Sequence, residues 1–101
     1  MAVDAVFRAL SDPTRRQILR LLRSGDLTAG DLAARFPLAR STLSEHCAVL
    51  KAAGLVVTER QGTVIVYSLN VSAVEEALGA ILGLVHRGEA SPPPSPSDAK
   101  E

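Results

Sequence analysis

The order of short elements in the middle of this chain rules out most folds. Thr28–Phe36 and Ser41–Gly54 (STLSEHCAVLKAAG) each read as a short amphipathic helix, with Pro37-Leu38-Ala39-Arg40 as the turn between them. Two β-prone runs follow, Leu55–Glu59 and Val64–Leu69, joined across Gln61-Gly62. Helix, turn, helix and ribbon in this order predict a winged helix-turn-helix, which places one helix in the major groove of DNA and a hairpin against the backbone. The expected fold class is mainly α with a two-stranded β-wing, dimerised through the terminal helices.

Local signals support each boundary. Val3, Val6, Phe7 and Leu10 recur at helical spacing and predict a first helix over residues 3–10. Asp12-Pro13 opens the next: Asp12 can accept from free N–H groups, and Pro13 arrives with its φ already set. Ile18, Leu19, Leu21 and Leu22 supply its buried side, Gly25 ends it, and Arg15, Arg16, Arg20 and Arg23 leave a basic outer surface. Thr28 followed by Asp31 approximates a capping box, and Leu32, Ala33 and Phe36 are that helix's inward residues. Pro37 disfavours helical geometry at Phe36 and closes the element. In the next helix Leu43, Cys47 and Leu50, with Ala53 in line, form a strict inward stripe, so the polar residues must face outward.

The last helix, residues 71–86, is more apolar than packing on so small a body requires. Val71, Val74, Ala77, Leu78, Ala80, Ile81, Leu82, Leu84 and Val85 exceed one buried side. A second copy of the chain would cover the excess across a two-fold axis. The expected dimerisation residues are Val3, Phe7 and Leu10 from the first helix and Val74, Leu78, Ile81, Leu82 and Val85 from the last. From residue 88 the text GEASPPPSPSDAKE cannot form a core, so residues 1–87 are read as one domain and 88–101 as a disordered Pro/Ser-rich tail.

Composition sets outer limits. A chain of 101 residues has room for one thin core, built mainly from aliphatic side chains because Phe7, Phe36 and Tyr67 are the only aromatics. No apolar run approaches the length of a membrane span, and the opening MAVDAVFRAL lacks the layout of a secretory signal. With Cys47 alone, no internal disulfide can form, and a cytoplasmic location is expected. Net charge is zero, but its distribution is not even. Through Arg60 nine Arg and Lys face six Asp and Glu, a surplus of three; from Gln61 onward two face five, a deficit of three. A dimer would double the positive half, giving phosphate contacts and salt-dependent affinity.

Several motifs occur together at the right spacing: AVFRALSDPTRRQILRLL, GDLTAGDLAARF, STLSEHCAVLKAAGLV and the wing ERQGTVIVYSLN. Over roughly residues 3–87 the chain resembles the ArsR/SmtB family of winged-helix transcriptional repressors, and within it the small autorepressors of the SdpR type. The resemblance implies a homodimer on an inverted repeat of double-stranded DNA, repressing its own or a neighbouring operon. It also implies that the Ser41–Ala53 helix enters the major groove, with Arg40, Ser41, Thr42, Ser44, Glu45 and His46 facing it. Arg60 and Gln61, at the wing, are expected beside phosphates. Early positions on such a helix are best placed to reach base edges, so Ser41, Thr42 and Glu45 are the expected readers, and Arg40 can bind guanine or phosphate. His46 also has a reading as a helix-packing residue.

Four positions depart from the family pattern. Ala39 stands where Ser often caps the recognition helix and Ser41 where Pro is usual, which predicts a later helix start at Ser41. Glu45 replaces a frequent Lys, Arg or Gln; an acid there repels phosphate unless it accepts from a cytosine amine. Cys47 replaces a usual Leu on the buried stripe, where a small thiol packs.

Many family members release DNA on binding metal through a Cys-x-Cys pair or His/Asp/Glu pairs. Here the first place reads TAGDLA, and on the last helix only Glu75, Glu76 and His86 are candidates, with Asp4 from the first. No cofactor or metal is expected. His46 and Cys47 point to different faces of one helix and make no nucleophile–base pair, so the chain is not read as an enzyme. Two rival readings stay open: a metal- or redox-responsive repressor, and a winged helix that binds a protein such as an anti-repressor encoded in its operon.

Overall fold

A computed structural model describes residues 3–86, so the tail read at 88–101 and the domain limit at 87 lie outside the described residues. The elements run α1 (Val3–Leu10), α2 (Pro13–Arg23), β1 (Leu27–Thr28), α3 (Ala29–Ala34), α4 (Arg40–Ala52), β2 (Val56–Gln61), β3 (Val64–Leu69) and α5 (Val71–Val85). This is a winged helix-turn-helix: mainly helical, with α3 and α4 as the helix-turn-helix and β2–β3 as the wing.

The predicted caps form. The Asp12 carboxylate accepts from the N–H groups of Thr14 and Arg15 at 2.8 and 3.2 Å, and Pro13 begins α2. Thr28 Oγ1 accepts from Asp31 N–H at 3.0 Å and starts α3. Other boundaries differ from expectation. Helix α3 stops at Ala34, leaving Phe36 outside it and only half-buried. Helix α4 starts at Arg40 rather than Ser41: Ala39 takes the extended cap conformation with no side-chain hydrogen bond. Packing of the stripe that begins at Leu43 outweighs the missing cap, which is worth only about 1 kcal/mol.

The wing also corrects the sequence reading. Strand β2 extends to Gln61, so Arg60 pairs with Ile65 and Gln61 with Val64, and the tip is Gly62-Thr63 instead of Gln61-Gly62. Gly62 has φ 67°, the left-handed conformation a tight hairpin asks of its first turn residue. A third strand joins the two expected. Leu27 and Thr28 pair antiparallel with Tyr67 and Val66, giving the order β1-β3-β2. Two residues carry no periodic signal, and Thr28 serves both as strand end and as helix cap.

The core lies where the stripe predicted. Leu43, Cys47, Leu50 and Ala53 are buried in one cluster with Val6, Ala9, Ile18, Leu22, Leu32, Leu55, Val56 and Ala77. Tyr67 and Leu69 pack on it from β3, as the alternation of that strand requires. Leu19 and Leu21 are half-buried at its margin, and Phe7, expected inward or at an interface, is exposed. Leu50 is fully buried at the centre. Leu50→Ala is therefore expected to destabilise the domain by about 2–5 kcal/mol through lost burial and a residual cavity. Urea unfolding should show this as a lower midpoint with an unchanged slope.

Candidate nucleic-acid interface

Helix α4 turns one side to the core and the opposite side to solvent. With 3.6 residues per turn, Ser41, Glu45, Ala48 and Ala52 lie opposite Leu43, Cys47 and Leu50, and all four are exposed. Ser44 and Lys51 occupy the flank nearer the wing, where they edge a groove shared with Thr58, Ile65 and Tyr67. Arg40, at the first turn, is exposed; Thr42 is half-buried. Arg60 and Gln61 are exposed at the end of the hairpin. The expected groove-facing set thus divides into an outer strip, a wing-side flank and one residue that turns elsewhere.

That residue is His46, on the flank facing α2. Its Nδ1 lies 3.2 Å from Arg15 Nη1 and 3.8 Å from Asp12 Oδ2, and its side chain is 19% exposed. Arg15 is not part of an open basic surface, as the sequence suggested. Its Nε donates to the Ala9 carbonyl and its Nη2 to the Arg8 carbonyl, both at 2.8 Å. Arg16 Nη1 likewise donates to the Leu10 carbonyl at 2.8 Å. These are the last carbonyls of α1, which lack helical partners and carry its negative dipole end, so two cations settle there. Partial burial works against the charge on Asp12, but donation from the N–H groups of Arg15 and Thr14, with His46 and Arg15 nearby, holds its carboxyl below the usual range.

Asn70 is a second fastening that sequence reasoning missed. Its Oδ1 accepts from Ala73 N–H at 3.2 Å and caps α5, while its Nδ2 donates to the Gly54 carbonyl at 3.1 Å. Its own N–H donates to the Leu55 carbonyl at 2.9 Å. The end of α4 and the start of α5 thus meet at one side chain. An Asn immediately before an apolar helical run was the available signal.

Beneath the outer strip, the Cys47 thiol faces the Tyr67 hydroxyl. Burial pushes the thiol above its ordinary range, only partly offset by Tyr67, and burial beside that thiol pushes Tyr67 up as well. Among the described residues, no group of three or more His, Cys, Asp and Glu gathers to hold a metal ion. Glu75 and Glu76 are exposed near the start of α5, and His86 caps its far end.

The terminal helices leave apolar surface open. Only Ala73 and Ala77 of α5 are buried, while Leu78, Leu82, Leu84 and Val85 are 55%, 42%, 68% and 71% exposed. Phe7 of α1 adds to the exposed apolar residues at 42%. Val3, Leu10, Val74 and Ile81 are half-buried. No helix of the described residues is long and apolar enough to cross a membrane.

Residues 12–58 match the family described as bacterial regulatory protein, arsR family. The chain is 42% identical over 87 residues to the transcriptional repressor SdpR of Bacillus subtilis, covering 86% of this chain and 97% of that protein. It is 40% identical over 84 residues to the HTH-type transcriptional regulator CmtR of Mycobacterium tuberculosis, covering 83% and 71%. Its fold superposes on an ArsR-like transcriptional regulator from Rhodococcus sp. RHA1 with a TM-score of 0.74 at 32% identity, covering 82% of this chain and 78% of that one.

The setting of Cys47 generates a chemical expectation. A buried, protonated thiol should react slowly with alkylating agents in the native protein and rapidly after denaturation. Because the unfolded thiol ionises near about pH 8.5 while the native one stays protonated, the unfolded state releases protons first. Stability should therefore fall as pH rises above that value, and the fall should be shallower in Cys47→Ala; denaturant midpoints measured across alkaline pH test this.

Proposed function

Because the chain belongs to the ArsR family of winged helix-turn-helix transcriptional regulators, a family of DNA-binding proteins and not of enzymes, we propose that it is a homodimeric, SdpR-like repressor. It binds an inverted repeat in double-stranded DNA and represses its own or a neighbouring operon from within the cytoplasm. The observation that carries the reading is the two-sided construction of α4, whose buried stripe presents Ser41, Ser44 and Glu45 to the outside. Residues up to 87 serve as one unit for both DNA binding and dimerisation.

In this arrangement the two copies of α4 enter successive major grooves on one face of the duplex, with half-site centres about 34–36 Å apart. Ser41, Thr42 and Ser44 offer hydroxyls that both donate and accept at base edges, and Arg40 offers a fork for guanine or phosphate. Glu45 accepts from a cytosine amine and penalises other bases by leaving its charge unpaired near phosphates. Arg60 and Gln61 grip flanking phosphates from the wing, fixing register without reading sequence. The apolar faces of α1 and α5 bury each other's copies, since exposed patches of this kind mark association surfaces. Holding two recognition helices at one spacing is what makes an inverted repeat the preferred target.

Fluorescence anisotropy with duplex from immediately upstream of the gene, against scrambled duplex at two salt concentrations, tests the reading. Preferential binding, two chains per site and a steep salt dependence are expected; equal weak binding to every duplex, including fragments selected from the whole genome, would overturn it. Arg40→Ala is expected to weaken operator binding about tenfold or more at fixed salt. Leu82→Lys is expected to yield monomers in sedimentation velocity and to lose operator preference while keeping the helical circular-dichroism spectrum.

A further inference from the structure

We propose that Arg15 is a positioning residue for DNA recognition: its guanidinium ties the C-terminal end of α1 to His46 and thereby sets the rotation of α4 about its buried stripe. This rests on the reading of α4 as the recognition helix. Arg15 reaches four neighbours at once. Nε donates to Ala9 O at 2.8 Å, Nη2 to Arg8 O at 2.8 Å and to Ser11 Oγ at 3.4 Å, and Nη1 meets His46 Nδ1 at 3.2 Å. A guanidinium has only donors, so the ring nitrogen facing it must present a lone pair. That chemistry makes Nδ1 the acceptor of this contact and Arg15 its donor.

Asp12 supports this arrangement without taking part in it. Its Oδ2 is 3.8 Å from Nδ1, beyond hydrogen-bond length, and is committed to the N–H groups of Thr14 and Arg15. By closing the first turn of α2 it fixes the backbone from which Arg15 extends. The last carbonyls of α1 then hold the guanidinium whether or not His46 is present, because they are helix-end acceptors at the negative end of a dipole, that of Arg8 also accepting from Ser11. His46 is the residue being held.

Such a tie supplies what the apolar stripe does not. Burial of Leu43, Cys47 and Leu50 opposes withdrawal of α4 from the core, but it is non-directional and resists rotation weakly. A hydrogen bond is directional. Rotating a helix by about 10–20° moves its outer side chains by roughly 1–2 Å, more than base-edge recognition tolerates. The position also places α1, whose Phe7 belongs to the proposed dimer face, one side chain from α4.

Four variants test the proposal: Arg15→Lys, Arg15→Gln, His46→Leu and His46→Asn, the last keeping an acceptor where Nδ1 stands. Duplex selected in vitro by the wild-type dimer, and scrambled duplex, are titrated at fixed salt, and the Arg15 Nε–H signal and the α4 amides are followed by nitrogen-15 NMR. Arg15→Lys, Arg15→Gln and His46→Leu should each lose about tenfold on the selected duplex and under twofold on the scrambled one, with shifted α4 amides. His46→Asn should keep both the protected Arg15 signal and binding within about threefold of wild type. Full binding by His46→Leu would overturn the proposal, as would a loss in His46→Asn equal to that in His46→Leu, which would make His46 a direct reader. Retention by Arg15→Lys, with equal losses on both duplexes for Arg15→Gln and a shallower salt slope, would make Arg15 a phosphate contact instead. If the wild type selects no duplex, the DNA reading of α4 fails separately, and the NMR comparison alone decides whether Arg15 orients His46.

Discussion

Burial of Leu43, Cys47, Leu50 and Ala53 in one cluster with Ile18, Leu32, Leu55 and Val56 draws α2, α3 and the start of β2 round α4. Because a helix has only one inner side, seating that stripe decides what every other residue of α4 can do. Ser41 and Glu45 become solvent-facing, Ser44 and Lys51 turn to the wing, and His46 turns to α2. The turn before α4 needs no side-chain cap at Ala39, since tertiary packing secures the helix start. The outward surface of α4 is thus produced by the apolar side of the same helix.

Directional bonds then fasten what burial has gathered. Arg15 joins α1 and α2 to the middle of α4, and Asn70 joins the end of α4 to the start of α5. Both bonds lie beside helix ends, where backbone groups lack partners and a polar side chain gains most. Of the three helices so tied to α4, α1 and α5 are those with apolar surface left open.

Much of this was legible in the residues. The caps at Asp12 and Thr28, the stripe on α4, the alternation of β3 and the surplus apolar surface of α5 all depend on residue type and short-range spacing, and all stand in the structure. The stop of α3 at Ala34, the start of α4 at Arg40, the hairpin tip at Gly62-Thr63 and strand β1 did not follow from spacing. Each of those turns on a partner distant in sequence: Leu27 and Thr28 are strand residues only because Tyr67 and Val66 lie beside them.

The sequence by itself determined the inward stripe of α4 and the outward placing of Ser41 and Glu45, because helical periodicity and the hydrophobic effect act on neighbours in the chain. It also determined the family, through motifs whose order and spacing recur. Only the tertiary structure decided that Arg15 spends its donors on α1 and His46 instead of on solvent, and that Asn70 bridges two helices. The reason is geometric. A cation or an amide on a helix surface has the same periodicity whether it is solvated or bonded, and only the approach of a second helix end, brought by the fold, supplies the acceptor.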